Sequence, residues 1–195
     1  MAEMTTVQKP VQTGDRMTAD EYLKLPETTQ RMELIDGIVF IQPASRPYYQ
    51  ADHQTAVFLT AKLIDSFALG GRMLIAPIDV EWDNGNVKQP DVLWVSPTNT
   101  RVQISDQVYG APDFIAEILS PGMALQDKRE KYRLYERYGV REYWLIDPLA
   151  RFVEVFTYNV EDATFAAVGA FGVGETFTSP LFGRDVEVKV LFPEG

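Results

Sequence analysis

The fold is decided by two short apolar runs, Phe114-Ile115-Ala116-Glu117-Ile118-Leu119 and Glu142-Tyr143-Trp144-Leu145-Ile146. Runs of this length and composition predict strands, and the first one is apolar enough to be buried on both faces. The charged segment between them, residues 126–138, carries apolar side chains at helical spacing and predicts a helix. A strand, a helix and a second strand in this order predict an α/β domain with a helix crossover near its middle.

One acidic residue interrupts the first of these runs. An ionised carboxylate at Glu117 is costly in a buried strand unless a cation, a metal or a proton compensates it. A second isolated acid, Asp91, opens the apolar run Val92–Val95. If the two strands are neighbours, side-chain alternation allows both carboxylates to hold one hard cation such as Mg²⁺. The alternative for Asp91 is a turn residue at the start of its strand.

The other elements follow from local signals. Thr18 and Glu21 form a capping-box pattern for a short helix at 17–23, and Asp36-Gly37 indicates a hairpin within 32–41. The remaining segments are a long helix at 51–69, strands at 73–82, 91–95, 142–146 and 152–158, a loop or short helix at 97–110, and short β-prone pieces at 164–171 and 186–191. We therefore predict an α/β fold of the α+β kind, with a central mixed sheet flanked by helices.

Length and composition limit the class of protein. The 195 residues predict a flexible N-terminal segment at 1–16 and one domain at 17–195. The chain has no cysteine, no apolar stretch resembling a signal peptide and no run of about 20 apolar residues, so we expect a cytoplasmic protein without a membrane span. The net charge of −10 argues against broad binding to nucleic acid, although it leaves room for a local basic groove.

Several common sites are excluded by the absence of their motifs. No Gly-x-Ser-x-Gly surrounds Ser120, which argues against a serine hydrolase, and neither common phosphate-binding glycine loop is present. With one histidine and no cysteine, a His/Cys zinc cluster is ruled out.

The helix at 126–138 offers a partner for the acids. Lys131, Leu134, Tyr135 and Tyr138 follow one another at i, i+3, i+4 and i+7, which places the lysine on a semi-apolar stripe, with Asp127 one turn upstream. A lysine beside an acid cluster can orient water or stabilise charge that develops on a phosphoryl group. The alternative is that Lys131 extends outward and pairs with Asp127.

Two further residues are weaker candidates. Glu33 precedes the hairpin turn, and taken alone its position is more typical of a solvent-facing strand residue. His53 lies near the start of the long helix, in phase with Val57 and Ile64, where a core or capping role is commoner than a catalytic one.

Taken together, the motifs resemble a known family. They are Glu33-Leu34-Ile35-Asp36-Gly37, His53, Pro90-Asp91, Ala111-Pro112-Asp113, Glu117-Ile118-Leu119-Ser120-Pro121, Asp127, Lys131, Tyr135 and Gly139-Val140-Arg141-Glu142-Tyr143-Trp144-Leu145-Ile146-Asp147-Pro148. This series is similar to the Uma-type restriction endonuclease family, long filed as a domain of unknown function, within the PD-(D/E)XK nuclease superfamily. The resemblance runs from about residue 17 to about residue 158 and leaves 159–195 as a β-rich extension.

The resemblance implies a restriction-endonuclease-like core with a metal site. Asp91 would be the first acid and Glu117 the second, and both would bind Mg²⁺ or Mn²⁺. The superfamily places a lysine two residues after the second acid, where this chain has Leu119. The family is thought to supply that lysine from the following helix, and Lys131 is the matching position.

The same resemblance implies supporting roles for four more residues. Glu33 matches a frequent extra acid of such sites and His53 matches a recurrent histidine, while Asp127 and Tyr135 belong to the matching helix. Gly122 departs from the family, whose members often carry serine there.

Three functions remain open at this point. The first is a metal-dependent endonuclease that hydrolyses the phosphodiester bonds of DNA. The second is a catalytically inactive binding or regulatory module with the nuclease fold, expected to be a homodimer because of its aromatic-rich C-terminal part. The third is a metal-dependent hydrolase acting on a substrate other than DNA.

Overall fold

A computed structural model of the chain describes residues 10–42, 46–67, 69–120 and 125–193, without the side chains of residues 125–127. The expected α/β architecture is confirmed. Within the described residues, two six-stranded sheets and one two-stranded sheet are accompanied by three α-helices.

The secondary structure is as follows. The helices are α1 (Ala19–Tyr22), α2 (Pro47–Ser66) and α3 (Leu125–Arg137), and a 3-10 turn covers Val188–Leu191. The strands are β1 (Met32–Ile35), β2 (Ile38–Ile41), β3 (Arg72–Ile75), β4 (Val80–Asp83), β5 (Asn86–Lys88), β6 (Val92–Val95), β7 (Gln103–Ile104), β8 (Val108–Tyr109), β9 (Phe114–Ile118), β10 (Glu142–Asp147), β11 (Phe152–Asn159), β12 (Thr164–Gly172), β13 (Thr176–Ser179) and β14 (Arg184–Glu187).

The central sheet has the order β12-β11-β10-β9-β6-β3. Only β9 and β10 are parallel, and α3 connects them, because parallel neighbours need a long crossover. In this register Glu117 lies beside Leu145. The other pairs of the sheet are antiparallel, so the expected mixed sheet with a central crossover is present.

The second sheet has the order β2-β1-β5-β4-β8-β7, with α1 packed against it. Its β1–β5 pairing sets Leu34 opposite Val87. Part of the N-terminal segment expected to be flexible continues this sheet, since the Gly14 N–H donates to the Val39 carbonyl at 2.9 Å. Residues 1–9 of that segment lie outside the described residues.

Two local signals produce the expected structure. The Thr18 hydroxyl accepts from the Glu21 N–H at 3.3 Å, and the Glu21 carboxylate accepts from the Thr18 N–H at 2.8 Å, which completes a capping box. Asp36 and Gly37 have φ values of 47° and 75°, as required for a two-residue hairpin turn.

Three segments differ from the expectation. The run 73–82 is not one strand but is divided between β3 and β4, which belong to different sheets, because Pro77 has no N–H for a ladder. The long helix begins earlier, with Pro47 at its first turn, where a missing N–H costs nothing. The segment 97–110 contains the short strands β7 and β8 rather than a helix.

The central sheet buries both of its faces. Alternate side chains such as Trp144 pack against α2 and the C-terminal segment that contains Phe182. The side chains of the other parity, among them Ile115 and Tyr143, pack against α3 and the second sheet. Glu117 has this second parity and therefore points towards α3. Within the described residues, no helix combines the length and the apolar character needed to span a membrane.

Candidate active site

Asp91 and Glu117 face each other across two neighbouring strands. The antiparallel β6–β9 pair sets Val92 opposite Ala116, so Asp91, just before β6, lies opposite Glu117 near the end of β9. Both residues have 0% of their surface exposed. The expectation that the two strands are neighbours, with both acids on one face, agrees with this geometry.

Asp91 is held by three donors. Its Oδ1 accepts from Arg31 Nη1 at 2.9 Å, and its Oδ2 accepts from the Ile118 N–H at 2.8 Å. His53 Nε2 lies 3.2 Å from the same Oδ2. Although burial by itself raises the pKa of Asp91, the Arg31 guanidinium and the His53 ring together hold that pKa below its usual range.

Glu117 has two partners on α3. Its Oε2 lies 3.0 Å from Lys131 Nζ, and the Tyr135 hydroxyl donates to its Oε1 at 2.5 Å. Burial raises the pKa of Glu117 to about 7 even though the Lys131 ammonium lowers it, and the negative charge of Asp91 adds to the rise. Its pKa is therefore shifted in the opposite direction to that of Asp91.

Glu33 joins the same cluster from β1. Its Oε1 lies 3.3 Å from Lys131 Nζ and its Oε2 lies 3.5 Å from Lys88 Nζ. Burial opposes ionisation, but the Lys131 and Lys88 ammonium groups lower the pKa of Glu33 to about 2. The solvent-facing alternative for Glu33 is wrong, since this residue is only 1% exposed.

Lys131 connects the two sheets. It lies between Glu117 of the central sheet and Glu33 of the second sheet, and it is 1% exposed. The alternative that it extends outward is therefore wrong, and the semi-apolar stripe with Tyr135 faces the acids. Asp127 belongs to α3, but its side chain lies outside the described part of the chain.

His53 occupies the edge of the site rather than a core. It lies on α2, with 21% of its side chain exposed, and its ring reaches Asp91. Every candidate whose side chain is described therefore belongs to one group of residues: Glu33, His53, Asp91, Glu117, Lys131 and Tyr135.

Comparisons with known proteins identify the family of the chain. The family model Uma2, described as "Putative restriction endonuclease", matches residues 19–190. The chain belongs to the Uma2 family. The match extends beyond the expected limit near residue 158 and includes most of the β-rich C-terminal part.

One solved structure resembles this Uma2 chain over nearly its whole length. It is a crystal structure from Anabaena variabilis described as a "putative nuclease belonging to DUF820". The TM-score is 0.71 with 23% identity, and the match covers 90% of this chain and 97% of that chain, so it establishes a shared fold. No curated protein matches the chain in sequence.

Two residues of the Uma2 site were not anticipated from the sequence. Arg31 binds Asp91, and its position two residues before Glu33 was a usable signal, because residues two apart in a strand share a face. Lys88 lies beside Glu33 through the β1–β5 pairing. That pairing joins segments about 50 residues apart, so no local pattern indicates it.

The donor set is compatible with a hard divalent cation. Asp91 and Glu117 offer carboxylate oxygens, which Mg²⁺ prefers, and Mg²⁺ needs only one or two protein carboxylates because it retains several waters. Among the described residues, no group of three His, Cys, Asp or Glu side chains could hold a metal. A cation here would therefore depend on these two carboxylates and water. It would also have to compete with Arg31 and Lys131.

Proposed function

We propose that this protein is a metal-dependent endonuclease that hydrolyses phosphodiester bonds of DNA. The observation that carries the proposal is the pairing of Asp91 with Glu117 across β6 and β9, with Lys131 3.0 Å from Glu117. Membership of a family described as restriction endonucleases supports the same activity. The fold alone would not, because one fold can serve many functions.

The proposed cofactor is Mg²⁺ or Mn²⁺, held by Asp91 and Glu117. A cation in this place would polarise a phosphoryl oxygen and lower the pKa of an attacking water. Burial raises the pKa of Glu117 because it disfavours the charged carboxylate, and an added positive charge would compensate that cost.

Charge balance explains how the site could receive a phosphodiester. When Glu33, Asp91 and Glu117 are all ionised, their three negative charges are matched by the cations Arg31, Lys88 and Lys131. A divalent cation would make the cluster positive, which favours a substrate with a negative phosphate despite the net charge of −10.

Each residue then has a distinct role in the proposal. Lys131 stabilises negative charge that develops on the phosphoryl group, and Glu33 holds its ammonium group in place from the second sheet. Tyr135 fixes the orientation of Glu117 through its hydroxyl group. His53 contacts Asp91 from the edge of the site and helps to hold its carboxylate in place.

Nicking of supercoiled plasmid in Mg²⁺ or Mn²⁺ tests the proposal. We expect Glu117→Gln to lower the rate by at least about 100-fold, because it removes one of two anionic ligands. Glu161→Gln is the matched control, since Glu161 is an exposed glutamate in the turn after β11. Its rate should equal that of the wild type.

Other outcomes would contradict the proposal. Equal nicking by the wild type and Glu117→Gln would indicate a contaminating nuclease. Absence of nicking in both, with folded protein, would favour a homodimeric binding or regulatory module, for which the balanced ion pairs of the site would be structural. Turnover of a small phosphodiester without action on DNA would indicate a different substrate.

A further inference from the structure

We infer that a groove along one side of α3 binds single-stranded DNA next to the active site. The inference rests on the proposed function, because it concerns how the substrate of that site is held. The groove has a volume of about 330 Å³ and lies between α3 and strands β10 and β11. This volume falls at the lower end of the range for ligand sites in proteins.

The groove is a local exception to the acidic character of the chain. α3 carries five Lys or Arg residues and three Asp or Glu residues, whereas the whole chain carries 18 and 28. Lys131 points to the active site, while Lys128, Arg129 and Arg133 line the groove. Arg129 and Arg133 are exposed, so their guanidinium groups can reach phosphates in solution.

The floor of the groove is aromatic and aliphatic. Tyr132, Phe156 and Leu145 line it, and the first two rings are half-buried rather than sealed in the core. Phe156 is stacked on Tyr143 and meets Tyr132 at 86°, so bases can reach only the exposed parts of the Tyr132 and Phe156 rings. Cations beside partly exposed rings are a combination by which proteins bind single strands, with phosphates on the cations and bases against the rings. A duplex hides the faces of its bases, so this floor favours an unpaired strand.

The two acids of the groove restrict where phosphates can lie. Glu154 lies on the floor, opposite Leu145 in the β10–β11 register, and disfavours a phosphate there. Glu136 is engaged by the Phe165 N–H at 2.8 Å. Phosphates would therefore follow the helix wall at Arg129 and Arg133, with the bases towards the floor.

Strand register connects the groove with the active site. Glu117, Leu145 and Glu154 lie side by side on β9, β10 and β11, on the same face of the sheet. Leu145 thus contributes to the groove while its neighbour Glu117 contributes to the site, and α3 contributes to both. The groove and the active site are therefore adjacent in strand register and share the helix α3.

Fluorescence anisotropy with a labelled single strand of about 12 nucleotides, in EDTA to prevent cleavage, tests the inference. At low salt we expect the double variant Arg129→Ala/Arg133→Ala to weaken binding at least tenfold. The slope of log K against log salt concentration should fall in magnitude by about 1.4, since each lost phosphate contact removes about 0.7. Tyr132→Leu keeps the charge and should weaken binding about fivefold. The exposed Arg184 on β14 provides the control Arg184→Ala, which should leave binding unchanged.

Four results would overturn the inference: no binding by the wild type, equal losses in the control, unchanged binding by the double variant, or a duplex of the same sequence bound as tightly as the single strand. Plasmid nicking with unchanged binding by the double variant would reject the groove and leave the endonuclease in place. Groove-dependent binding without cleavage of either the plasmid or the labelled single strand in Mg²⁺ or Mn²⁺ would reject the endonuclease and leave the groove in place.

Discussion

Two fully buried glutamates lie on opposite faces of the central sheet, and their partners differ in charge. Glu142 on β10 accepts from Trp144 Nε1 at 2.6 Å, Ser179 Oγ at 2.7 Å and the Leu181 N–H at 2.6 Å, all neutral donors. Glu117 on β9 instead pairs with the Lys131 ammonium group and lies in a cluster of acids and cations.

This difference separates a structural acid from a candidate catalytic one. Two donors of Glu142, from Ser179 and Leu181, connect β10 to the C-terminal segment that covers one face of the sheet, while Trp144 donates from β10 itself. Both carboxylate oxygens are therefore already used. Asp91 accepts one backbone donor, the Ile118 N–H. Its other partners and those of Glu117 are side chains, which a metal or a phosphate could displace. A single buried acid therefore does not indicate a catalytic site. A cluster of buried acids that share Arg and Lys side chains does.

The strongest test of the comparison is Glu142→Ala. The change leaves three buried donors without their acceptor, so we expect the free energy of unfolding to fall by about 4 kcal/mol. Urea denaturation measures this loss. Nicking activity per folded molecule should match the wild type, because Glu142 does not face the site.

A loss of activity without a loss of stability in Glu142→Ala would contradict the distinction. Glu154→Ala is the matched control, because Glu154 lies on the adjoining strand β11 but is only partly buried. It should change stability by less than about 1 kcal/mol.

The sequence predicted only one side of this comparison. An acid in an apolar run is costly, which indicates Glu117, but Glu142 adjoins the equally apolar run 143–146 and meets the same criterion. The sequence shows that an acid lies in a run expected to be buried. It does not show which donor or cation pairs with the carboxylate. Helical spacing correctly placed Lys131 towards the acids, whereas Lys88 reaches Glu33 through a pairing between distant segments.

The same distinction applies to the fold: features set by contiguous residues were predicted, and features set by contacts between distant segments were not. The capping box at Thr18, the Asp36-Gly37 hairpin and the β9–α3–β10 crossover depend on contiguous residues, and each was predicted. The assignment of β3 and β4 to different sheets was not predicted, because only the three-dimensional arrangement decides which partner a strand finds.

The pH dependence of the free energy of unfolding gives a second test of the contrast between Glu117 and Glu142, because it can be assigned to Glu117 by mutation. Because its pKa of about 7 exceeds the usual 4.5, the folded protein holds a proton between these values that the unfolded chain releases. The free energy of unfolding should therefore fall by roughly 3 kcal/mol as pH rises through this window. Glu117→Gln should remove that decrease, measured by urea denaturation in EDTA.

Glu33 and Asp91 do not contribute to the change in stability over the pH range in which Glu117 titrates. The pKa values of Glu33 and Asp91 are lowered, so the stability they contribute is present above their usual range and is lost only at more acidic pH. If wild type and Glu117→Gln lost stability equally between about pH 5 and about pH 8, the raised pKa would have to belong to another group.

The smallest expected effect concerns Arg31. Its replacement tests whether a partner of Asp91 can be displaced by a metal, in contrast to the neutral donors that hold Glu142. Its guanidinium group occupies Asp91 Oδ1 at 2.9 Å, so a divalent cation must compete with it. We expect Arg31→Met to bind Mn²⁺ about tenfold more tightly in isothermal titration calorimetry, which corresponds to about 1.4 kcal/mol.

Arg141→Met is the control and should leave the affinity unchanged, because it removes only the exposed partner of Asp113 at 3.4 Å. Unchanged or weaker Mn²⁺ binding by Arg31→Met would mean that the guanidinium group supports the bound state instead of competing with it.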